Sequence, residues 1–416
     1  MKEQNNKYLT DLIDKCTNCG NCRIICPAYK YTGEEIYSTR GRINLIKGLA
    51  NEELHPSSEM KNLLSVCLNC RQCLRYCPAE VEYFSIIRYA KNRIRNRNWM
   101  FDIITFFTEG LFSHKHATSE MFFSATGLFR KLIYKNNKLN FIGRFMGRSA
   151  KLRPVTDIPS IARRNFFEMG IRHKLNNGRD IRTALFTGCG GKYLYPEAAD
   201  RFVMILRSNG IETLIPKEQV CCGNPLSYKG LLKKSENVLK KNAEVYNQLI
   251  GLNCIVSLCS DAVIAFKERS DSGKEPKFRF PVLNWLDFLL QNKIQVIPEY
   301  ENSIIFHSCP KCGDFKVYEN FIKNIYSDYT KIPEFTHDYC GSTELLDRSN
   351  PGLRDQITRD FCEMNGIKGY SYIACSSFEC VDHLNAYFLR NQLSVKAIHF
   401  VQALRPAPVN DTSAGT

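Results

Sequence analysis

A chain of 416 residues is long enough for two to four domains with cores of their own. Its hydrophobic share of 44% is ordinary for a globular protein, and no apolar run reaches the roughly eighteen residues of a spanning helix. The formal net charge is +15, but residues 91–179 alone hold eighteen Lys and Arg against five Asp and Glu, so the basic character belongs to one segment.

The first residues, MKEQNNKYLTDLID, are polar and lack an apolar h-region, so they are not expected to be a signal peptide. Nineteen cysteines in such a chain point to metal, not to disulfides. The run C-x2-C-x2-C-x3-C-P then occurs twice, as Cys16, Cys19, Cys22, Cys26, Pro27 and as Cys67, Cys70, Cys73, Cys77, Pro78. This is the spacing with which two-cluster ferredoxins hold 4Fe-4S clusters. Three cysteines at i, i+3 and i+6 wrap backbone around one cluster, and the fourth crosses to the other. The expected sets are Cys16, Cys19, Cys22 and Cys77 for one cluster, and Cys67, Cys70, Cys73 and Cys26 for the other. A zinc site of two C-x2-C pairs has no use for the third cysteine.

Forty residues separate Cys26 from Cys67. They carry helical apolar patterns at Ile43, Leu45, Ile46 and Leu49, and at Met60, Leu63, Leu64 and Val66. Another follows the second motif at Phe84, Ile86, Ile87, Tyr89 and Ile94. Residues 1–95 therefore read as a helical ferredoxin-like domain. Residues 96–178 read as a basic, aromatic helical linker with Trp99, Phe106, Phe107, Phe112, Phe122, Phe123 and Phe129 interleaved with charge. Its pattern predicts a helix at a membrane surface or on a membrane-bound partner, with Arg130, Lys131, Lys135 and Lys138 among the contacts; the alternative is that the aromatics pack between the ferredoxin-like and repeat domains while the charges are solvated. His114 and His116 in this linker are expected to face solvent.

From residue 180 the chain repeats itself. TALFTGCGGKY matches SIIFHSCPKCGDF, EQVCCGNPL matches THDYCGSTE, and NCIVSLCSDA matches YSYIACSSFEC. Each unit opens on a β-like run ending in Cys and continues into a helix. This predicts two tandem α/β cysteine-rich domains, at 179–298 and 299–405, ahead of a disordered tail at 406–416. The fold class is thus α+β. Cysteines fall at the carboxyl ends of strands, where α/β folds build sites. Cys189, Cys221, Cys222 and Cys259 form a candidate third cluster site, and Gly223 permits the close backbone approach that the vicinal pair needs. Cys309, Cys340, Cys375 and Cys380 form a candidate fourth, with Cys312 extra. Cys254 and Cys362 lie off the repeat and read as core thiols. His307, before Cys309 at a strand end, reads as a packed loop residue or as a hydrogen-bond donor behind the ligands. The glycines around Cys189 do not form a dinucleotide fingerprint, and no flavin or nicotinamide motif is present.

A two-cluster ferredoxin domain joined to two Cys-Cys-Gly repeats resembles the iron–sulfur subunits of anaerobic glycerol-3-phosphate dehydrogenase and glycolate oxidase, and the catalytic subunit of heterodisulfide reductase. The stretch Ser38-Thr39-Arg40-Gly41-Arg42-Ile43 is similar to the S-x-R-G-R-I segment of that group. The resemblance implies a cytoplasmic electron-transfer subunit, peripheral on the membrane. It would work between a flavoprotein dehydrogenase and a membrane quinone or other carrier, as part of an oxidoreductase complex. In the heterodisulfide reductase group each repeat has five cysteines, which hold a non-cubane, disulfide-cleaving cluster. Here Ala262 stands at the fifth position of the first unit, and Tyr339 replaces the first of the vicinal pair in the second. Four cysteines still suffice for a four-iron cluster, so the resemblance favours electron transfer over catalysis. Nucleic acid is not an expected partner, because no recognition motif accompanies the charge.

Overall fold

The computed structural model describes residues 2–94, 134–135, 138–139, 162, 165–169, 180–271, 275–329, 331–343 and 350–408. The expected membrane helix, with Trp99, Phe106, Phe107, Phe112, Phe122, Phe123, Phe129, Arg130 and Lys131, lies outside them, as do His114 and His116. Of that segment, β1 (Tyr134–Lys135) and β2 (Lys138–Leu139) pair antiparallel.

Residues 2–94 are helical. The longer helices are Lys2–Ile13, Thr39–Ala50, Ser58–Ser65 and Tyr83–Ile94. Serines start two of them: Ser38 Oγ accepts from Gly41 N, and Ser57 Oγ accepts from Met60 N. Their apolar faces meet in one core, with Ile46, Leu49, Leu64, Ile86 and Ile87 fully enclosed. Leu45, Leu63 and Tyr89, at the edges of the predicted stripes, are only half-buried.

Two four-stranded parallel sheets follow. The first contains β3 (Arg182–Phe186), β4 (Glu212–Leu214), β5 (Cys254–Ser257) and β6 (Val282–Asn284), ordered β4-β3-β5-β6. After β7 (Val296–Pro298), the second contains β8 (Ile304–His307), β9 (Phe335–Thr336), β10 (Tyr372–Cys375) and β11 (Lys396–His399), ordered β9-β8-β10-β11. Both units thus place their strands 2-1-3-4, and the repeat read in the sequence is a repeat of topology. Strand β12 (Leu404–Pro406) returns antiparallel onto β7, with Leu404 opposite Pro298, so the ordered chain runs past residue 405.

The two units share one core. Trp285 of the first packs edge-on against Tyr318 and tilted against Phe400 of the second. A Cβ on Gly190 would meet the Phe378 ring at 2.5 Å, and Tyr195 stacks on the same ring at 5.9 Å. Only glycine lets the Cys189 loop approach the second unit this closely.

The helical part docks across both units. Arg88 pairs with Glu268 at 2.6 Å and donates to Asn224 Oδ1 at 3.0 Å, directly beyond Cys221-Cys222-Gly223. Tyr228 donates to the Cys67 carbonyl. Against the second unit, Arg75 donates to Pro310 O at 2.6 Å, and Tyr31 donates to Asp360 at 2.7 Å. Because Arg88 is buried, its removal takes one hydrogen bond from Asn224 and one ion pair from Glu268. Arg88→Ala is expected to cost about 1.5–3 kcal/mol in denaturant unfolding, with Arg88→Lys recovering only part of it. A loss under 0.5 kcal/mol would mean that the docking does not depend on this residue.

Candidate metal centres

The two ferredoxin-type motifs use one backbone recipe. In the first, Asn18 and Gly20 take the left-handed region, with φ 55° and 87°. In the second, Asn69 and Arg71 do, with φ 51° and 60°. These are the second and fourth positions after the first cysteine of each motif. Asn and Gly tolerate this region best. Arg71 holds it while stacking over Phe84 at 4.7 Å and pairing with Glu268 at 3.2 Å. The kinks curl each loop inward, and the helices Asn21–Ile24 and Gln72–Arg75 then carry Cys22 and Cys73.

Two pockets result. One is lined by Cys16, Cys19, Cys22 and Cys77, the other by Cys26, Cys67, Cys70 and Cys73. Thr39, Cys73 and Tyr83 line both, so the pockets share a wall. Burial and then Cys16 push the Cys22 thiol up to about 11. Burial and then Cys26 push Cys70 up further, and Cys73 moves the same way through burial and Cys70. Thiols this crowded ionise together only against a cation.

The Ser38–Ile43 stretch lies along that wall. Arg40 pairs with Glu35 at 2.8 Å and donates to Asn18 O at 3.3 Å, tying the first cysteine loop down. Gly41 is obligatory, since a Cβ there would sit 2.1 Å from Glu35 O. Arg42 is 1% exposed, its Nε and Nη2 make no hydrogen bond, and the thiols of Cys67 and Cys26 stand beside it. A buried, under-bonded guanidinium against four thiols is the charge that an anionic thiolate-ligated cluster requires. Eight cysteines in two sets of four, with Arg42 beside one set, fit two 4Fe-4S clusters.

In the first sheet unit, Cys189 follows β3, Cys221 and Cys222 follow β4, and Cys259 follows β5. Gly223, at φ 81°, turns the vicinal pair inward, and its N–H reaches Cys221 Sγ at 3.4 Å. The four thiols form a row: Cys221 lies against Cys189 and Cys222, and Cys222 against Cys259. Their neighbours hold Cys221, Cys222 and Cys259 well above the usual thiol range. Cys254, off the row, bonds with Thr183 inside the sheet.

In the second unit the structure gathers Cys309, Cys340 and Cys380 and adds two residues that spacing did not select. His307 lies with Cys340 and Cys380. Cys312 lies against Cys309, and Ser260 Oγ of the first unit stands 2.8 Å from its sulfur. Cys375 reaches back toward Ile373 O, at 3.9 Å, and also stands beside Cys340 and Cys309. Cys380 starts the helix Phe378–Arg390, and its sulfur is 3.5 Å from that of Cys340. The signal for His307 was its place as the last residue of β8. The signal for Cys312 was a second C-x2-C pair.

Between the two cysteine sets runs a buried polar strip. Cys259 Sγ is 3.6 Å from Glu379, and Lys311 is 3.8 Å from Asp261. Burial, then Asp261, raises the Glu379 carboxyl to about 8. Tyr339, standing where the first unit has Cys221, lies near both Cys70 and Cys340 and donates to Leu68 O at 3.4 Å. The helical part therefore abuts the second cysteine set through Cys70, Tyr339 and Lys311.

Among described residues, no helix is long and apolar enough to cross a membrane. Comparison with known proteins matches residues 12–81 to the 4Fe-4S dicluster domain and residues 183–266 to the cysteine-rich domain. The chain is 26% identical over 250 residues to the probable glycolate oxidase iron-sulfur subunit of Bacillus subtilis, covering 56% of this chain and 54% of that protein. It is 31% identical over 86 residues to the glycolate oxidase iron-sulfur subunit of Escherichia coli, 21% of each chain. It is 22% identical over 311 residues to the EtfAB:quinone oxidoreductase of Syntrophomonas wolfei, covering 63% of this chain and 37% of that protein. The chain spans about half the length of the curated relatives it matches. It is an iron–sulfur protein that joins a 4Fe-4S dicluster domain to a cysteine-rich domain and is related to the iron–sulfur subunits of glycolate oxidase.

Proposed function

We propose that this chain is the electron-transfer subunit of a multi-subunit oxidoreductase, working between a flavoprotein dehydrogenase and a membrane quinone or another carrier. In this reading residues 179–298 and 299–405 are tandem cysteine-rich domains. Cys16, Cys19, Cys22 and Cys77 hold one cluster, Cys67, Cys70, Cys73 and Cys26 a second, and Cys189, Cys221, Cys222 and Cys259 a third. When bound, such clusters accept and donate single electrons. The observation that carries the reading is contiguity. The two pockets share the Cys73–Tyr83 wall, and the Cys67 carbonyl of the second pocket accepts from Tyr228, on the helix Asn224–Tyr228 that starts directly after Cys222-Gly223 of the first sheet unit. The relatives, one named an iron-sulfur subunit and one a quinone oxidoreductase, agree with it.

The test is anaerobic titration with a chemically reduced flavin. The expected result is bleaching of the cluster absorbance and recovery on adding a quinone. Clusters that a reduced flavin leaves oxidised would defeat the proposal. A second reading, reduction of a disulfide, draws on Glu379, 3% exposed and 3.6 Å from Cys259, where it would protonate a leaving thiolate. Ala262, in place of a fifth cysteine, argues for electron transfer. Turnover of disulfides by the viologen-reduced protein would reverse that preference.

The basic segment belongs to the same proposal, as a membrane-surface contact. Co-sedimentation with anionic vesicles is expected at low salt. It should fall stepwise as salt rises and weaken when Arg130, Lys131, Lys135 and Lys138 are neutralised, at about 1 kcal/mol per charge. Full solubility with such vesicles at low ionic strength would end that part of the reading.

A further inference from the structure

The second sheet unit has a donor set unlike that of the first. His307, Cys340 and Cys380 place one ligand atom each within 4.8 Å of one another, all three buried. The Cys340 and Cys380 sulfurs are 3.5 Å apart. Cys309, following β8, brings its thiol against Cys380. His307 is fully buried; its ring nitrogens make no well-formed hydrogen bond and lie beside Cys340 and the Thr336 backbone. A buried imidazole so weakly bonded and set among thiols suits a group that binds nitrogen.

The mixed donor set, one imidazole among thiols, points to that group, and the ligand separation fits it. Around one tetrahedral ion with metal–sulfur bonds of about 2.3 Å, the sulfurs stand about 3.8 Å apart. In a cubane each thiolate sits on its own iron, and the sulfurs stand much farther apart. The observed 3.5 Å fits the single ion. Tyr339, in place of a vicinal cysteine, removes one thiol that the first unit has, and His307 adds an imidazole that the first unit lacks. The Ser342 and Ser377 hydroxyls lie 3.3 Å from Cys380 Sγ, as hydrogen-bond donors to a metal thiolate do.

We propose that the second sheet unit holds a single tetrahedral zinc ion through His307, Cys309, Cys340 and Cys380. Binding ionises the three thiols, whose protons pass to solvent, and leaves the imidazole neutral. With four protein ligands and full burial the site is closed, hence structural. The ion would fix the ends of β8 and the loop after β9 against the helix Phe378–Arg390, and with them the Lys311 loop that meets Cys70. The inference stands independently of the electron-transfer reading, since the ion carries no electrons.

The test uses the full chain, purified anaerobically and dialysed against a chelator, then assayed for zinc and iron together. About one zinc per chain is expected, with an X-ray absorption first shell of three sulfurs and one nitrogen. Cys380→Ser and His307→Ala should lower zinc from about one to none and leave iron and the reduced-cluster EPR unchanged. Should Cys380→Ser fail to fold, His307→Cys keeps the question open to refutation: it should retain zinc with a four-sulfur shell. The proposal is overturned if the wild-type chain keeps no zinc, if zinc survives both substitutions, or if Cys380→Ser or His307→Ala removes iron instead. A zinc result as expected beside clusters that no flavin reduces would sink the proposed function and spare this inference.

Discussion

Replacing Cys26 by serine is expected to abolish the cluster of the second motif and spare that of its own. Cys26 closes the first motif in sequence, yet it lines the pocket of Cys67, Cys70 and Cys73. Its place as the N-cap of Pro27–Thr32, with Pro27 ending the coordinating loop, aims its side chain away from Cys16, Cys19 and Cys22. Serine fills the volume but is a poor ligand to soft iron. Iron held by the dicluster domain should fall from about eight atoms toward four, and one of two reduced EPR signals should vanish. Cys77→Ser should remove the other signal, because Cys77 lines the pocket of Cys16, Cys19 and Cys22. If each substitution instead silences the cluster of its own motif, the pairing is wrong.

Cys222→Ser should remove whatever iron the chain holds beyond the dicluster complement, and leave both dicluster signals intact. Cys222 is the middle of the buried row, touching Cys221 and Cys259, so no neighbour can take over its position. Buried serine carries its own penalty of about 1–3 kcal/mol. Cys222→Ala separates that from ligand loss, and should show the same iron deficit with a smaller fall in stability. Cys254→Ala is the matched control. It removes a buried thiol bonded to Thr183, off the row, and should cost stability without iron. Iron unchanged by Cys222→Ser under strict anaerobiosis would make the row plain structural thiols.

Features that are local or periodic can be read from the residues alone. The cysteines at i, i+3 and i+6 are read directly because a few residues and two left-handed positions shape each loop. The helical stripes of residues 43–94 were legible because burial follows a 3.6-residue period. The repeat was legible because the same strand order imposes the same order of strand ends and cysteines. Other features emerge only when distant segments pack together. Offset alone pairs Cys375 with Cys259, and Cys375 does lie beside Cys340 and Cys309, but Cys312 and His307, which the offset did not select, stand there too. Side-chain direction at a strand end depends on the neighbouring strands, not on spacing. Arg42 looks like any helix cation until folding buries it beside Cys26 and Cys67, forty-one residues apart in sequence. Glu379, Asp261 and Lys311 likewise come together only because two sheets share one core, which brings charges more than a hundred residues apart into the same low-dielectric strip.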